Sequence, residues 1–197
     1  MGMQFSDMVF ADQVKDMNGS AIREIFHLLK VPGMISFAGG NPASSALEPD
    51  VVSEIVNEVL KRDCTAILQY GATEGYAPLR ESIAEFVKGC GLNASADAVL
   101  PVTGSMQAMD LLCKVLINPG DAILAEDPTF LGVLHTMHMY RANIQPIATD
   151  EFGAIPESVE EQIRKFKPKL IYIIPTFQNP TGKTLILERR KQLAALA

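Results

Sequence analysis

The chain is 197 residues long, with 48% hydrophobic and 20% charged residues and a net charge of −6. A chain of this size buries roughly 70% of the surface its unfolded form exposes, and its composition excludes disorder. The acidic balance, with a pI near 5.1, excludes a nonspecific nucleic-acid binder, and no apolar run is long enough to span a bilayer.

In chain order, the N-terminus Met1-Gly2-Met3-Gln4-Phe5-Ser6-Asp7 carries neither the basic nor the apolar stretch of a secretory signal. Cys64, Cys90 and Cys113 lie far apart without paired spacing, which suits a reducing compartment. The cytoplasm is the expected location. A helix is predicted from about Ser20 to Lys30, then a short apolar strand from Met34 to Ala38 and the loop Gly39-Gly40-Asn41-Pro42. A second helix opens at Glu48-Pro49-Asp50, with Pro in the first turn, and is expected to run to about Arg62. A third runs from about Ala77 to Cys90, with Leu79, Ile83, Phe86 and Val87 at helical spacing.

From Ala98 onward, strands and helices alternate. Strands are predicted at Ala98–Val102, Ala122–Ala125, Ile144–Ala148 and Leu170–Ile174. Helices are predicted at Ser105–Ile117, Phe130–Tyr140, Pro156–Phe166 and from Leu187. In the first of these, Met106, Met109, Cys113 and Leu116 share a face. Leu170–Ile174 is continuously apolar and mostly β-branched, as a parallel strand covered on both faces requires. The order βαβαβαβα predicts an α/β fold: a parallel sheet with right-handed crossovers and helices on both sides.

In such sheets ligands bind at the carboxyl edge, where the strand-to-helix loops emerge. Three loops of unusual composition are expected there: Thr103-Gly104-Ser105-Met106-Gln107, Glu126-Asp127-Pro128-Thr129-Phe130, and Pro175 to Gly182. In the first, Gly104 allows close backbone approach, and Ser105 and Met106 present N–H groups at a helix N-terminus, which suits a phosphate. A plain serine cap fits the same residues. Phe130 can stack on a flat heteroaromatic ring or sit in the core. The third loop, Pro-Thr-Phe-Gln-Asn-Pro-Thr-Gly, is long for a mere turn, and Asn179 offers both donor and acceptor there. His135 and His138 read as ordinary helix histidines, with no metal site expected. Glu157, Glu160, Glu161, Arg164, Lys165 and Lys167 read as a solvated helix face with i,i+4 pairs.

Four segments in this order resemble the fold-type I, class I/II pyridoxal-phosphate aminotransferases. They are Ile35 to Pro42, Gln69 to Arg80, the Thr103 to Gln107 loop and Phe177 to Gly182. The 2-aminoadipate (LysN-like) and kynurenine aminotransferase branch also shares the helix start Ser20-Ala21-Ile22-Arg23-Glu24. The resemblance implies a three-layer αβα large domain, incomplete here. Residues 1–45 would form an N-terminal arm and small-domain segment, and 46–197 the N-terminal part of the large domain. It also implies pyridoxal 5'-phosphate as cofactor, an amino acid and a 2-oxo acid as substrates, and a homodimer, with no nucleic-acid or membrane partner.

By the same resemblance, Gly104, Ser105 and the Met106 amide would hold the cofactor phosphate. The family usually has Gln where Met106 stands, so only a backbone contact carries over. Phe130, usually Tyr in this branch, would stack on the pyridine ring. Asn179 would contact the ring hydroxyl oxygen and help hold the substrate carboxylate. Tyr70 would reach the phosphate of the neighbouring subunit. Gly40 would lie against the substrate carboxylate, and Arg23, with Ser20 on the same helix, would read a side-chain carboxylate. A solvated helix-face Arg23 is the equal alternative.

The family's chemistry needs a Schiff-base lysine, an acid on the pyridine nitrogen, and arginines, all downstream of the Asn-Pro-Thr-Gly loop. None of the ten lysines follows a Ser-x-x at a strand end, and Lys183 reads as a solvated loop lysine. The expectation is therefore a fragment of a longer enzyme, inactive alone, with no catalytic residue of its own. An aminotransferase-like ligand-sensing domain of a transcriptional regulator is the other function class. Nothing before residue 20 reads as a helix-turn-helix.

Overall fold

In the computed structural model, residues 10–15, 31–35 and 42–197 are described. Ala122–Glu126 forms β1, and every one of its five residues is buried. A run of Ala, Ile and Leu can be buried in this way only where both sheet faces are covered. Its neighbours are β2 (Asn143–Ile147) on one edge and β5 (Leu170–Tyr172) on the other, both parallel to it. The register pairs Ile123 with Ile144 and Leu170, and Leu124 with Gln145 and Ile171.

Because side chains alternate along a strand, consecutive residues of β1 serve opposite faces. Ile123 joins Met109 and Cys113 of α4 (Gly104–Leu116) and Val133 and Met137 of α5 (Leu131–Met139). Leu124 packs in the opposite core with Ile147, with Val159 of α6 (Pro156–Phe166), and with Leu193 of α7 (Leu187–Leu196). The predicted α/β fold, a parallel sheet with helices on both faces, is what these residues form. The apolar stripe of α4 ends on buried Ile117, whereas Leu116 is exposed. The step of four from Cys113 falls on Ile117.

Three expectations are corrected. Ala98–Val102 enters no described sheet. Ala96–Ala98 is a 3-10 turn and Val99 is merely extended. A strand needs a ladder partner, and the carbonyls of Ala96 and Val99 instead accept from Arg80 Nε at 3.0 and 3.1 Å. Second, the strand expected over Leu170–Ile174 is shorter, β5 ending at Tyr172, and it is half-buried where β1 is buried throughout. Leu170 and Tyr172 face one core and Ile171 and Ile173 the other. Only one edge of β5 is paired among the described residues, so coverage on both faces does not bury it fully. Third, Lys183 is half-buried, and its charge acts on Asp150.

Residues 102–197 and the described residues of 1–17 form one compact unit, and the described residues of 18–101 form another. In the latter, α2 (Pro49–Leu68) begins at the expected proline and passes a kink at Asp63 before ending six residues beyond Arg62. Arg62 Nε donates to Asp63 Oδ2 at 2.6 Å, and the stretch from Cys64 to Leu68 holds no Gly or Pro to stop a helix. Helix α3 (Ala77–Gly89) keeps its predicted limits within a residue. α1 is the short turn Asp12–Lys15. The helix expected at 20–30 and most of the strand expected at 34–38 lie outside the described residues. On α6, Arg164 pairs with Glu160 one turn away, as its charge spacing implies.

Residue pattern carries no sign of the hairpin of β3 (Thr149–Asp150) and β4 (Gly153–Ala154). Arg189 of α7 clamps it, donating to both Asp150 oxygens at 2.6 and 2.7 Å and to the Gly153 carbonyl at 3.0 Å. The Arg189 hydrogen bonds hold the Asp150 carboxyl at about 2, below its ordinary 3.8. A folded-state value below the unfolded one stabilises the fold above the unfolded value, and that gain is lost as pH falls through the folded one. The expected result is a loss of stability between about pH 4 and pH 2 that the Asp150→Asn protein lacks. Urea midpoints taken across that window check it, and parallel curves for the two proteins would refute the assignment.

Candidate functional site

From β1 the chain steps to β2 on one side, then crosses back over β1 to reach β5 on the other. Accordingly, the loop after β1 leads into α5 over one face, and the loop after β5 leads into α7 over the opposite face. Adjacent parallel strands whose loops part in this way leave a crevice at their carboxyl ends.

The walls of that crevice are tied together. The backbone N–H of Ile174, just past β5, donates to Glu126 Oε2 at the end of β1 at 2.9 Å. Gln178 Nε2 donates to the Pro128 carbonyl at 2.8 Å. Glu126 is only 3% exposed and Gln178 5%. Burial pushes the Glu126 carboxyl above its ordinary value, and the Ile174 N–H and the Gln178 amide partly oppose that rise. The loop base is closed by Leu185 N–H donating to the Pro175 carbonyl at 2.9 Å. Arg190 of α7 reinforces that closure, donating to the same Pro175 carbonyl at 2.7 Å and to the Leu185 carbonyl at 2.8 Å.

The Thr103–Gln107 loop opens α4. Gly104 takes φ +78°, a left-handed conformation that lets the chain turn sharply into the helix. Gln107 Oε1 accepts the Thr103 N–H, while the Thr103 side chain leaves the helix end uncapped. The Ser105 and Met106 N–H groups thus sit at the positive end of the helix dipole without a side-chain cap. Met106 also meets Phe130, the residue before α5. A Cβ at Gly132 would lie 2.8 Å from the Phe130 ring and 3.0 Å from Met106 Sδ, so both side chains close over that glycine. A larger residue at 132 would force the Phe130 ring or the Met106 thioether to shift.

The groups presented are an uncapped helix end with an aromatic ring beside it and an exposed amide on the loop tied to Pro128. Chemically, they suit an anionic group joined to a flat ring. Across residues 32–197 the sequence matches the family Aminotransferase class I and II. The chain belongs to that family.

This aminotransferase-family chain is 38% identical to Aromatic-amino-acid aminotransferase 1 of Thermococcus litoralis, an alignment covering 95% of the chain and 46% of that protein. Its fold is similar to that of a kynurenine aminotransferase from Pyrococcus horikoshii, with a TM-score of 0.85 and 34% identity over 95% of this chain and 48% of the other. It is similar also to LysN, an α-aminoadipate aminotransferase from Thermus thermophilus solved with N-(5'-phosphopyridoxyl)-L-leucine. There the TM-score is 0.83 at 35% identity, covering 95% of this chain and 46% of the other. The chain spans about half the length of the relatives it matches.

Of the residues singled out from sequence, Gly104, Ser105, Met106, Phe130 and Asn179 all stand on the three loops of this rim. Asn179 and Ser105 are exposed, and neither side chain bonds to a described residue. Phe130 is half-buried, partly against the α4–α5 core. Tyr70 stands 99% exposed in the 18–101 unit. Ser20, Arg23 and Gly40 lie outside the described residues. Glu126, Gln178 and Arg190 join the rim without standing out by residue type or spacing. A lone acid ending an otherwise apolar strand was the one signal for Glu126.

Proposed function

We propose that the whole protein is a pyridoxal-phosphate-dependent aminotransferase, moving an amino group between an amino acid and a 2-oxo acid. The observation that supports this reading best is the uncapped start of α4 beside the Phe130 ring. When bound, pyridoxal 5'-phosphate supplies an electron sink in its pyridine ring.

The chain's own residues then bind and orient. The Ser105 hydroxyl and the N–H groups of Ser105 and Met106 donate to the phosphate oxygens, with Gly104 permitting close approach. Phe130 stacks on the ring face. Asn179 donates to the ring hydroxyl oxygen and helps hold the substrate carboxylate. Tyr70 serves the phosphate of a neighbouring subunit, which extends the proposal to a homodimer. Gly40, Arg23 and Ser20 take the substrate side. Residues 1–45 act as arm and small-domain segment, 46–197 as the first part of the large domain, in a cytoplasmic enzyme.

Titration of the 197-residue chain with pyridoxamine 5'-phosphate and with pyridoxamine tests the reading, since neither forms imines with surface lysines. The expected result is at least 10-fold tighter binding of the phosphorylated compound, reversed by inorganic phosphate. Equal binding of the two would overturn it.

A further inference from the structure

The loop that carries Asn179 has very little apolar anchoring at its tip. Phe177 is exposed with φ +50°, and Asn179, Pro180 and Gly182 are exposed as well. Gln178 is buried among them, and every polar part of it is used. Its Nε2 donates to the Pro128 carbonyl at 2.8 Å. Its Oε1 accepts from the Thr181 N–H at 2.9 Å and the Thr181 hydroxyl at 2.6 Å. Its backbone N–H donates to the Lys183 carbonyl at 2.8 Å, and its carbonyl accepts the Gly182 N–H. One side chain therefore ties the Asn179–Gly182 turn to the loop after β1, 50 residues away in sequence. Arg190 and the Leu185 N–H close the base of the loop, so Gln178 is the brace at its tip.

We infer that Gln178 is a positioning residue, fixing Asn179 at the rim through its side-chain bonds to Pro128 and Thr181. Glu126 lies beside it: the buried carboxyl accepts the Ile174 N–H, and the Gln178 amide opposes the upward push of burial on that carboxyl. A glutamate at 178 keeps an acceptor for Thr181 but replaces the amide donor to Pro128 by a carboxyl that, beside buried Glu126, has at most one shared proton to offer. The two halves of the brace are therefore separable. The inference rests on the cofactor reading of this rim for its functional consequence only.

The test uses Gln178→Ala and Gln178→Glu in the 197-residue chain, with amide exchange at Thr181 measured against Ile123 and Leu124, which report opening of the core. In Gln178→Ala, Thr181 exchange is expected to rise about 10-fold relative to the core amides. Affinity for pyridoxamine 5'-phosphate is expected to fall about 10-fold, the loss of roughly one hydrogen bond's net contribution. Gln178→Glu is expected to keep slow Thr181 exchange and still lose affinity. Unchanged relative exchange in Gln178→Ala would overturn the inference, and so would unchanged affinity in both variants of a chain that binds the ligand. If the unaltered chain does not bind pyridoxamine 5'-phosphate, the cofactor reading fails, and the exchange ratio alone decides whether Gln178 holds the loop.

Discussion

Replacing Ser105 by aspartate is expected to weaken pyridoxamine 5'-phosphate binding by about 100-fold while leaving the fold as stable as before. The two effects have opposite origins. An acid in the first turn of α4 interacts favourably with the helix dipole, as Ser105 itself does only weakly. The same carboxylate faces the proposed phosphate at the positive end of the helix, where like charges a few ångström apart repel by several kcal/mol at an effective dielectric of about 20. A loss of about 2.7 kcal/mol corresponds to 100-fold. Titration with pyridoxamine, which lacks the phosphate, provides the comparison, because its affinity should barely change. A Ser105→Asp chain that binds the phosphorylated ligand normally would remove α4 from the site.

Leu124→Ala is expected to be the most damaging conservative change to the fold. Leu124 has no exposed surface and lies in the core formed with Ile147, Val159, Leu185 and Leu193. Truncating a leucine in such a place loses its transfer energy and leaves a cavity, about 3 kcal/mol in all. For a chain of this size that lowers the thermal midpoint by roughly 6–12 °C. Leu187, which is exposed at the start of α7, gives the contrast. Its replacement by alanine should stay within about 0.5 kcal/mol. Thermal melts of both variants check the ranking, and equal midpoints would contradict the placement of β1 at the centre of the sheet.

The centre of that sheet was only partly legible in sequence. Apolar runs separated by amphipathic helices identified β1, β2 and β5 and their order along the chain, because strand and helix periodicities are local. Ala98–Val102 looked equally strand-like, yet it forms no ladder here. Whether an apolar extended segment becomes a strand depends on a partner elsewhere in the chain, and residue pattern does not record partners. The hairpin of β3 and β4 was missed for a related reason. Its two-residue strands are too short for any periodicity, and Arg189, from a helix that begins more than 30 residues later, clamps it.

What residue type and local spacing determined by themselves was the chemistry on offer at the rim. A glycine able to turn into α4, a serine with free N–H neighbours, a phenylalanine at the start of α5 and an asparagine between prolines could all be read one loop at a time. Only the tertiary structure decided that Met106 and Phe130 close over Gly132, and that Gln178 ties the asparagine loop to Pro128. These contacts join residues tens of positions apart. The first arises because α4 and α5 pack on the same face of β1, the second because the chain crosses back to lay β5 beside β1.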